Sequence, residues 1–174
     1  MRDPHERSLP VRALCAVVGG LWPPLLAAML VSCAVVPSNL DPAAPALSLA
    51  PALAFYRWGK SAPAALVCPF AALAGAALDI LAHGPLGYWA LVYAAAAALG
   101  GHGRDAAGGG VIVFVLHMAA LAGLQAVVGA AATLAPPDWH AILRQTLAAC
   151  AIFPVIMVMI PASPHRTAQA RVWR

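Results

Sequence analysis

Charged residues are scarce in this sequence. They make up 9% of its 174 residues, whereas 63% are hydrophobic. A soluble domain typically has about 25% charged and about 45–50% apolar residues, so this chain has too few charges to cover a water-exposed surface. Each helical crossing of a bilayer needs about 20 apolar residues, and nearly all of the chain divides into such runs. The composition predicts a single integral membrane domain.

The alternation of apolar and polar residues that marks the strands of a membrane barrel is also missing. The run from Ala94 to Leu99, for example, is continuous alanine and leucine. Inside lipid every backbone group needs a partner within the protein, and only helices and closed barrels supply one. The predicted fold class is therefore all-α, a polytopic integral membrane protein.

Residue groups that could form a catalytic or metal site are missing as well. The four cysteines show no C-x-x-C spacing and the six histidines are scattered, which argues against a metal or redox centre. Five of the six acids fall in termini or loops, so no carboxylate pair is available for acid–base catalysis. His117 lies well inside an apolar stretch, where a bond to a neighbouring helix is expected. The chain is predicted to be no enzyme and to use no cofactor.

What the sequence does contain is a series of six apolar stretches. They are Ala13 to Val36, Ala43 to Tyr56, Ala62 to Ala82, Leu86 to Leu99, Gly109 to Leu134, and Ala141 to Ile160. The second and fourth are short for a crossing, so a tilted helix, a half-span and a re-entrant segment all remain open for them. Between the fourth and fifth stretches, the glycine-rich segment from Gly100 to Gly110 predicts a flexible connection.

The basic residues lie between and outside these stretches, which indicates topology signals rather than a nucleic-acid surface. If all six stretches cross and the N-terminus is cytoplasmic, nine of the ten Lys and Arg residues lie inside and only Arg144 lies outside. This bias predicts six crossings with both termini in the cytoplasm. The predicted parts are a cytoplasmic N-terminal segment (1–12), a membrane domain of about six helices (13–162) and a basic cytoplasmic tail (163–174).

Asp79 is the one acid within an apolar stretch, near the predicted outer end of the third. A charged group at the centre of a membrane helix costs about 2.5–3.5 kcal/mol on insertion scales, so Asp79 is expected to face protein or water rather than lipid. Ala71, Gly75 and Asp79 are four residues apart and share one helix face, where small residues can admit a neighbouring backbone. Two interpretations remain open, a structural clasp for a helical hairpin and a binding role.

A tight turn follows Asp79, with the sequence His83-Gly84-Pro85-Leu86-Gly87. It leads into the fourth apolar stretch. Proline suits the first turn of a helix, and its fixed φ sets the angle at which the chain enters. We therefore expect Pro85 at the start of the fourth helix.

These elements together resemble the MreD family of rod-shape-determining proteins. The pattern consists of Phe55-Tyr56-Arg57-Trp58-Gly59, then Gly75-x-x-x-Asp79, then Pro85-Leu86-Gly87 followed by Ala90-Leu91. It covers about Pro51 to Leu91, and the rest of the chain agrees in hydropathy. The sequence departs from the family in its high alanine content and in Arg57, which interrupts the aromatic pair.

The resemblance implies a non-enzymatic scaffold in the bacterial inner membrane that organises peptidoglycan synthesis and cell shape. The implied fold is that of the substrate-binding S-components of energy-coupling-factor transporters. The implied partners are MreC, MreB, RodA and a class B penicillin-binding transpeptidase. Membrane lipid is a further expected partner, and the placement of the basic residues predicts no nucleic-acid partner. Gly75, Asp79, Pro85, Leu86 and Gly87 would serve as the partner-binding site or structural clasp. We further hypothesise that the membrane helix of MreC packs in a groove shaped by Gly75 and the turn from Pro85 to Gly87.

The main alternative is a small-molecule-binding membrane subunit of a transporter, because such a subunit would share the fold. A ligand pocket would need polar side chains inside the helical bundle. The sequence offers Asp79, His117 and Gln125 for that purpose.

Overall fold

The computed structural model describes residues 26–32, 48–102 and 110–159 of the chain. Within these ranges the regular structure is entirely helical, which confirms the all-α prediction for this part of the protein. The six helices are α1 (26–32), α2 (Ala50–Ser61), α3 (Ala64–Leu81), α4 (Tyr88–His102), α5 (Gly110–Thr133) and α6 (Trp139–Met159). The predicted N-terminal segment and basic tail, and most of the first apolar stretch, lie outside the described residues.

Three of the helices are long and apolar enough to cross a membrane. They cover Ala64–Leu81, Val111–Thr133 and Trp139–Val158. Large apolar side chains on them point away from the bundle, for example Leu73, Val111 and Val158, which are 68%, 77% and 83% exposed. Such surfaces are unfavourable in water, but in lipid they meet a solvent as apolar as themselves. The chain therefore has the character of a membrane protein.

The shorter helices α2 and α4 lie inside the bundle. In α2 every residue from Ala50 to Tyr56 is buried, and the helix packs against α3, α4 and α6. Glycines on each helix allow α2 and α4 to approach closely. A Cβ on Gly100 would collide with the carbonyl oxygen of Tyr56, and one on Gly59 would collide with that of Ala97. Small residues promote this kind of close packing between membrane helices.

The structure corrects three of the predicted boundaries. Gly100 does not belong to a flexible connection, because α4 continues through it to His102 and buries it against α2. Helix α2 is displaced from its predicted range and continues to Ser61, so Lys60 lies in its last turn. A proline in the first turn favours the observed start of α2, since its missing N–H costs nothing there. Helix α4 begins at Tyr88, three residues after Pro85.

Candidate functional site

Asp79 lies in the last turn of α3 and is only 1% exposed. Its carboxylate accepts two hydrogen bonds from the backbone at the start of the next helix. Gly87 N donates to Oδ2 at 2.8 Å, and Trp89 N donates to Oδ1 at 3.0 Å. One side chain on α3 therefore fixes the position of the first turn of α4.

These two bonds pair backbone N–H groups that have no partner within α4 itself. The first N–H groups of a helix have no partner within it, and a polar side chain at the N-cap position usually supplies one. The first helical bond of α4, from Leu91 N to Gly87 O at 3.0 Å, makes Gly87 its N-cap residue. Gly87 has no side chain, and its φ of 94° is one that other residues rarely adopt. Asp79 caps α4 from the preceding helix, where its negative charge also suits the helix dipole.

The backbone of Asp79 takes part in the turn as well. Its carbonyl oxygen accepts a bond from Gly84 N at 2.9 Å, while His83 N donates to Ile80 O at 3.3 Å. With His83 in the left-handed conformation at a φ of 53°, this pair of bonds forms a Schellman ending of α3. Asp79 thus ends one helix through its carbonyl group and caps the next through its carboxylate.

Gly75 lies one turn before Asp79 on α3 and is buried against α4. A Cβ at this position would collide with the backbone carbonyl group of Trp89. Ala71 is also buried on this face, so α4 of the same chain fills the surface formed by these small residues. Gly75 cannot touch a partner helix directly, and the groove hypothesised for MreC is therefore not present at this residue.

The turn itself is exposed. Pro85, Leu86 and Gly87 all reach the surface, and Leu86 is 78% exposed. Pro85 does not begin α4 as predicted. Instead its carbonyl oxygen accepts a bond from Tyr88 N at 3.2 Å, and Leu86 and Gly87 form the turn between the proline and the helix. The five predicted site residues therefore separate into a buried pair, Gly75 and Asp79, and an exposed tip, Pro85 to Gly87.

At the opposite end of the bundle, an aromatic cluster surrounds Tyr56. The Tyr56 hydroxyl and His117 Nδ1 are hydrogen-bonded at 3.1 Å, which confirms that His117 bonds a neighbouring helix. The Tyr56 ring also contacts Phe114 of α5 and Phe153 of α6 edge-on. These residues are distant in sequence, and no sequence pattern indicated that they would meet.

Lys60 lies one turn beyond Tyr56, with its Nζ 4.9 Å from the centroid of the Tyr56 ring. Such a cation–π contact partly replaces the water that an ammonium group loses on burial. Arg57 places a second positive charge close enough to act on Lys60. The sequence had placed Lys60 in a loop as a topology signal, so this contact was not foreseen.

A third polar feature joins α5 to α6. Gln125 Nε2 donates to Gln145 Oε1 at 3.3 Å, and both side chains are buried. Gln125 Oε1 is buried without a hydrogen-bond partner among the described residues. Among all the residues that the structure describes, no three His, Cys, Asp or Glu side chains are grouped as a metal site would require.

The fold and these sites define a helical membrane protein whose buried polar residues join helices to one another. Comparison with protein-family models, with curated proteins and with solved structures finds no match.

Proposed function

We propose that this chain is a non-enzymatic membrane scaffold of the bacterial cell-elongation complex, similar to MreD. It would organise peptidoglycan synthesis through contacts with MreC and, by the same resemblance, with MreB, RodA and a class B transpeptidase. The proposal places it in the inner membrane with six crossings, cytoplasmic termini and an S-component-like fold. One observation carries it: the separate elements of the family-like pattern, Gly75, Asp79 and the turn from Pro85 to Gly87, meet in a single hairpin.

The exposed tip of this hairpin is the surface that we assign to the partner. Leu86 lies at its apex, and Ile80 and Leu81 at the end of α3 are also exposed. The two bonds to the Asp79 carboxylate hold the apex in a defined position relative to α3. A rigid apolar tip loses little entropy on binding, which suits contact with the membrane helix of MreC. The proposed topology puts this tip at the periplasmic side.

The test is affinity purification of the full-length chain from native membranes, with MreC as the protein measured. We expect Leu86→Ala to reduce MreC recovery several-fold, because it removes the most exposed apolar side chain of the tip. Leu134→Ala is the matched control, since Leu134 lies between α5 and α6 and is 93% exposed. It should leave recovery unchanged when both variants are present at the wild-type level.

The possible results separate two parts of the proposal. If the wild-type chain recovers no MreC, the scaffold function is wrong. If the wild type recovers MreC and Leu86→Ala recovers as much, only the assignment of the tip is wrong.

A small-molecule-binding subunit of a transporter is a second candidate, and the Gln125–Gln145 pair favours it. The unpaired Oε1 of Gln125 could accept a bond from a polar ligand inside the bundle. Asp79 and His117, the other two polar residues considered for such a pocket, already bond to protein groups. A thermal-shift screen with vitamins tests this alternative. Stabilisation that disappears in Gln125→Leu would favour it over the scaffold.

A further inference from the structure

The ammonium group of Lys60 is a half-buried charge with no anion to balance it among the described residues. Among those residues, it makes a cation–π contact with the Tyr56 ring. The acids in this part of the chain are Asp79 and Asp138. Both lie at the opposite end of the bundle, at the end of α3 and the beginning of α6. A partly buried cation in this position favours an external anion, because the contact with the Tyr56 ring offsets only part of the desolvation of the charge.

The neighbours of Lys60 add to its affinity for an anion. His117 and Lys60 lie close enough to interact electrostatically, and the Tyr56 hydroxyl engages Nδ1 of His117. When Tyr56 donates this bond, the proton of the imidazole is on Nε2, which can then donate to a ligand. Arg57 adds a second positive charge near Lys60. Ammonium and imidazole donors close together suit the oxygens of a phosphate group.

The surface beside this charge is apolar. Phe114 of α5 and Phe153 of α6 stack with their ring centroids 3.9 Å apart, and both rings contact Tyr56. From this point the two helices present exposed aliphatic side chains to the outside. They are Val111, Ile112, Val115 and Leu116 on α5, and Val155 and Val158 on α6. A cation above an apolar helix pair matches an amphiphile with an anionic head and hydrocarbon chains.

We propose that Lys60 and His117 bind the phosphate group of an acidic phospholipid whose acyl chains lie along α5 and α6. Charge complementarity selects the head group, and the exposed aliphatic side chains favour a lipid over a soluble phosphate compound. The site is separate from the hairpin tip, and it does not depend on whether MreC is the partner.

Titration of the full-length chain in phosphatidylcholine nanodiscs with phosphatidylglycerol tests this proposal. Native mass spectrometry would count the phosphatidylglycerol molecules retained. Lys60→Gln should weaken retention about fivefold, the effect expected for one basic residue near a charged lipid surface. Lys60→Arg keeps the charge and should retain binding. Arg144→Gln is the matched control, because it removes the same charge from an exposed residue of α6 near the opposite end of the bundle.

Each result decides the matter. The site is supported if Lys60→Gln loses bound phosphatidylglycerol while Lys60→Arg and Arg144→Gln retain it. Equal loss in Lys60→Gln and Arg144→Gln, or no loss in either, overturns it. Inorganic phosphate that displaces phosphatidylglycerol at millimolar concentration would identify a soluble phosphate site and overturn the lipid assignment. If Lys60→Gln does not fold, the wild type alone remains informative, since equal retention of phosphatidylglycerol and phosphatidylcholine would also overturn the proposal.

Discussion

Replacing Asp79 by asparagine tests how much the capping of α4 contributes to the stability of the protein. The change keeps the size of the side chain and one carbonyl oxygen, but it converts the second oxygen into an NH₂ group. One of the two backbone donors, Gly87 N or Trp89 N, then faces another donor instead of an acceptor. All other contacts of the hairpin are retained.

The expected loss follows from the two bonds. A hydrogen bond to a charged group contributes about 1.5–3 kcal/mol, and a donor left unpaired away from water costs about 1–3 kcal/mol more. Asparagine recovers part of this loss, because the folded protein no longer has to bury a carboxylate. We therefore expect a net destabilisation of about 2–3 kcal/mol. For a chain of this size that corresponds to a decrease in Tm of about 5–10 °C.

Thermal unfolding of the purified chain in detergent measures this effect, with helix content followed by circular dichroism. The reactivity of the half-buried thiols of Cys68 and Cys150 gives an independent signal for loss of packing. The wild type and each variant must be heated at the same rate, because unfolding of membrane proteins is often irreversible.

Asp138→Asn is the control for this experiment. Asp138 Oδ1 accepts a bond from Ala141 N at 3.0 Å at the exposed beginning of α6, and asparagine is an equally good N-cap residue. Its Tm should therefore remain at the wild-type value. A Tm for Asp79→Asn that also equals that of the wild type would refute the capping argument, since it would mean that the two bonds to the carboxylate contribute nothing.

The glycine contacts give two further predictions, both measured as Tm and yield in detergent. Gly75→Ala should destabilise the protein by about 1–3 kcal/mol, because its Cβ meets the backbone of Trp89. Gly123→Ala, where a Cβ meets open space, should be neutral or stabilise by up to about 1 kcal/mol; equal losses at both positions would contradict the packing explanation. Gly100→Ala should separate α2 from α4 and lower Tm. Gly101→Ala should leave Tm unchanged, because its Cβ would lie at an ordinary 3.6 Å from the Ala64 side chain. A larger decrease in Tm for Gly101→Ala than for Gly100→Ala would show that these helices are not closely packed.

The long apolar helices could be predicted closely from the sequence. The stretch from Gly109 to Leu134 became α5 from Gly110 to Thr133, and the one from Ala141 to Ile160 became α6 from Trp139 to Met159. Hydropathy over some twenty residues is a local property, so it needs no knowledge of neighbours. The short helix α2 was misplaced, because its C-terminal half carries Arg57 and Lys60. Hydropathy assigns such residues to a loop, whereas the packing of Trp58 and Gly59 keeps them helical.

The candidate site was only partly accessible to the same reasoning. Asp79 could be identified because an acid in an apolar stretch is a local anomaly with a known cost. Its role as the cap of α4 could not, because that role depends on Gly87 having no side chain and on the path of the turn between them. The pairing of Tyr56 with His117 joins residues 61 positions apart. Nothing in the local sequence of either residue specifies the other.

The sequence by itself determined that this is a helical membrane protein, where its longest helices run, and which acid is out of place. These properties follow from the free energy of moving each segment from water to lipid, which is nearly additive along the chain. The tertiary structure alone decided which donors Asp79 accepts from, that Gly75 is covered by α4, and that Lys60 lies over an aromatic ring. Those properties depend on helix faces that meet only after folding, with distances of a few ångströms deciding each contact.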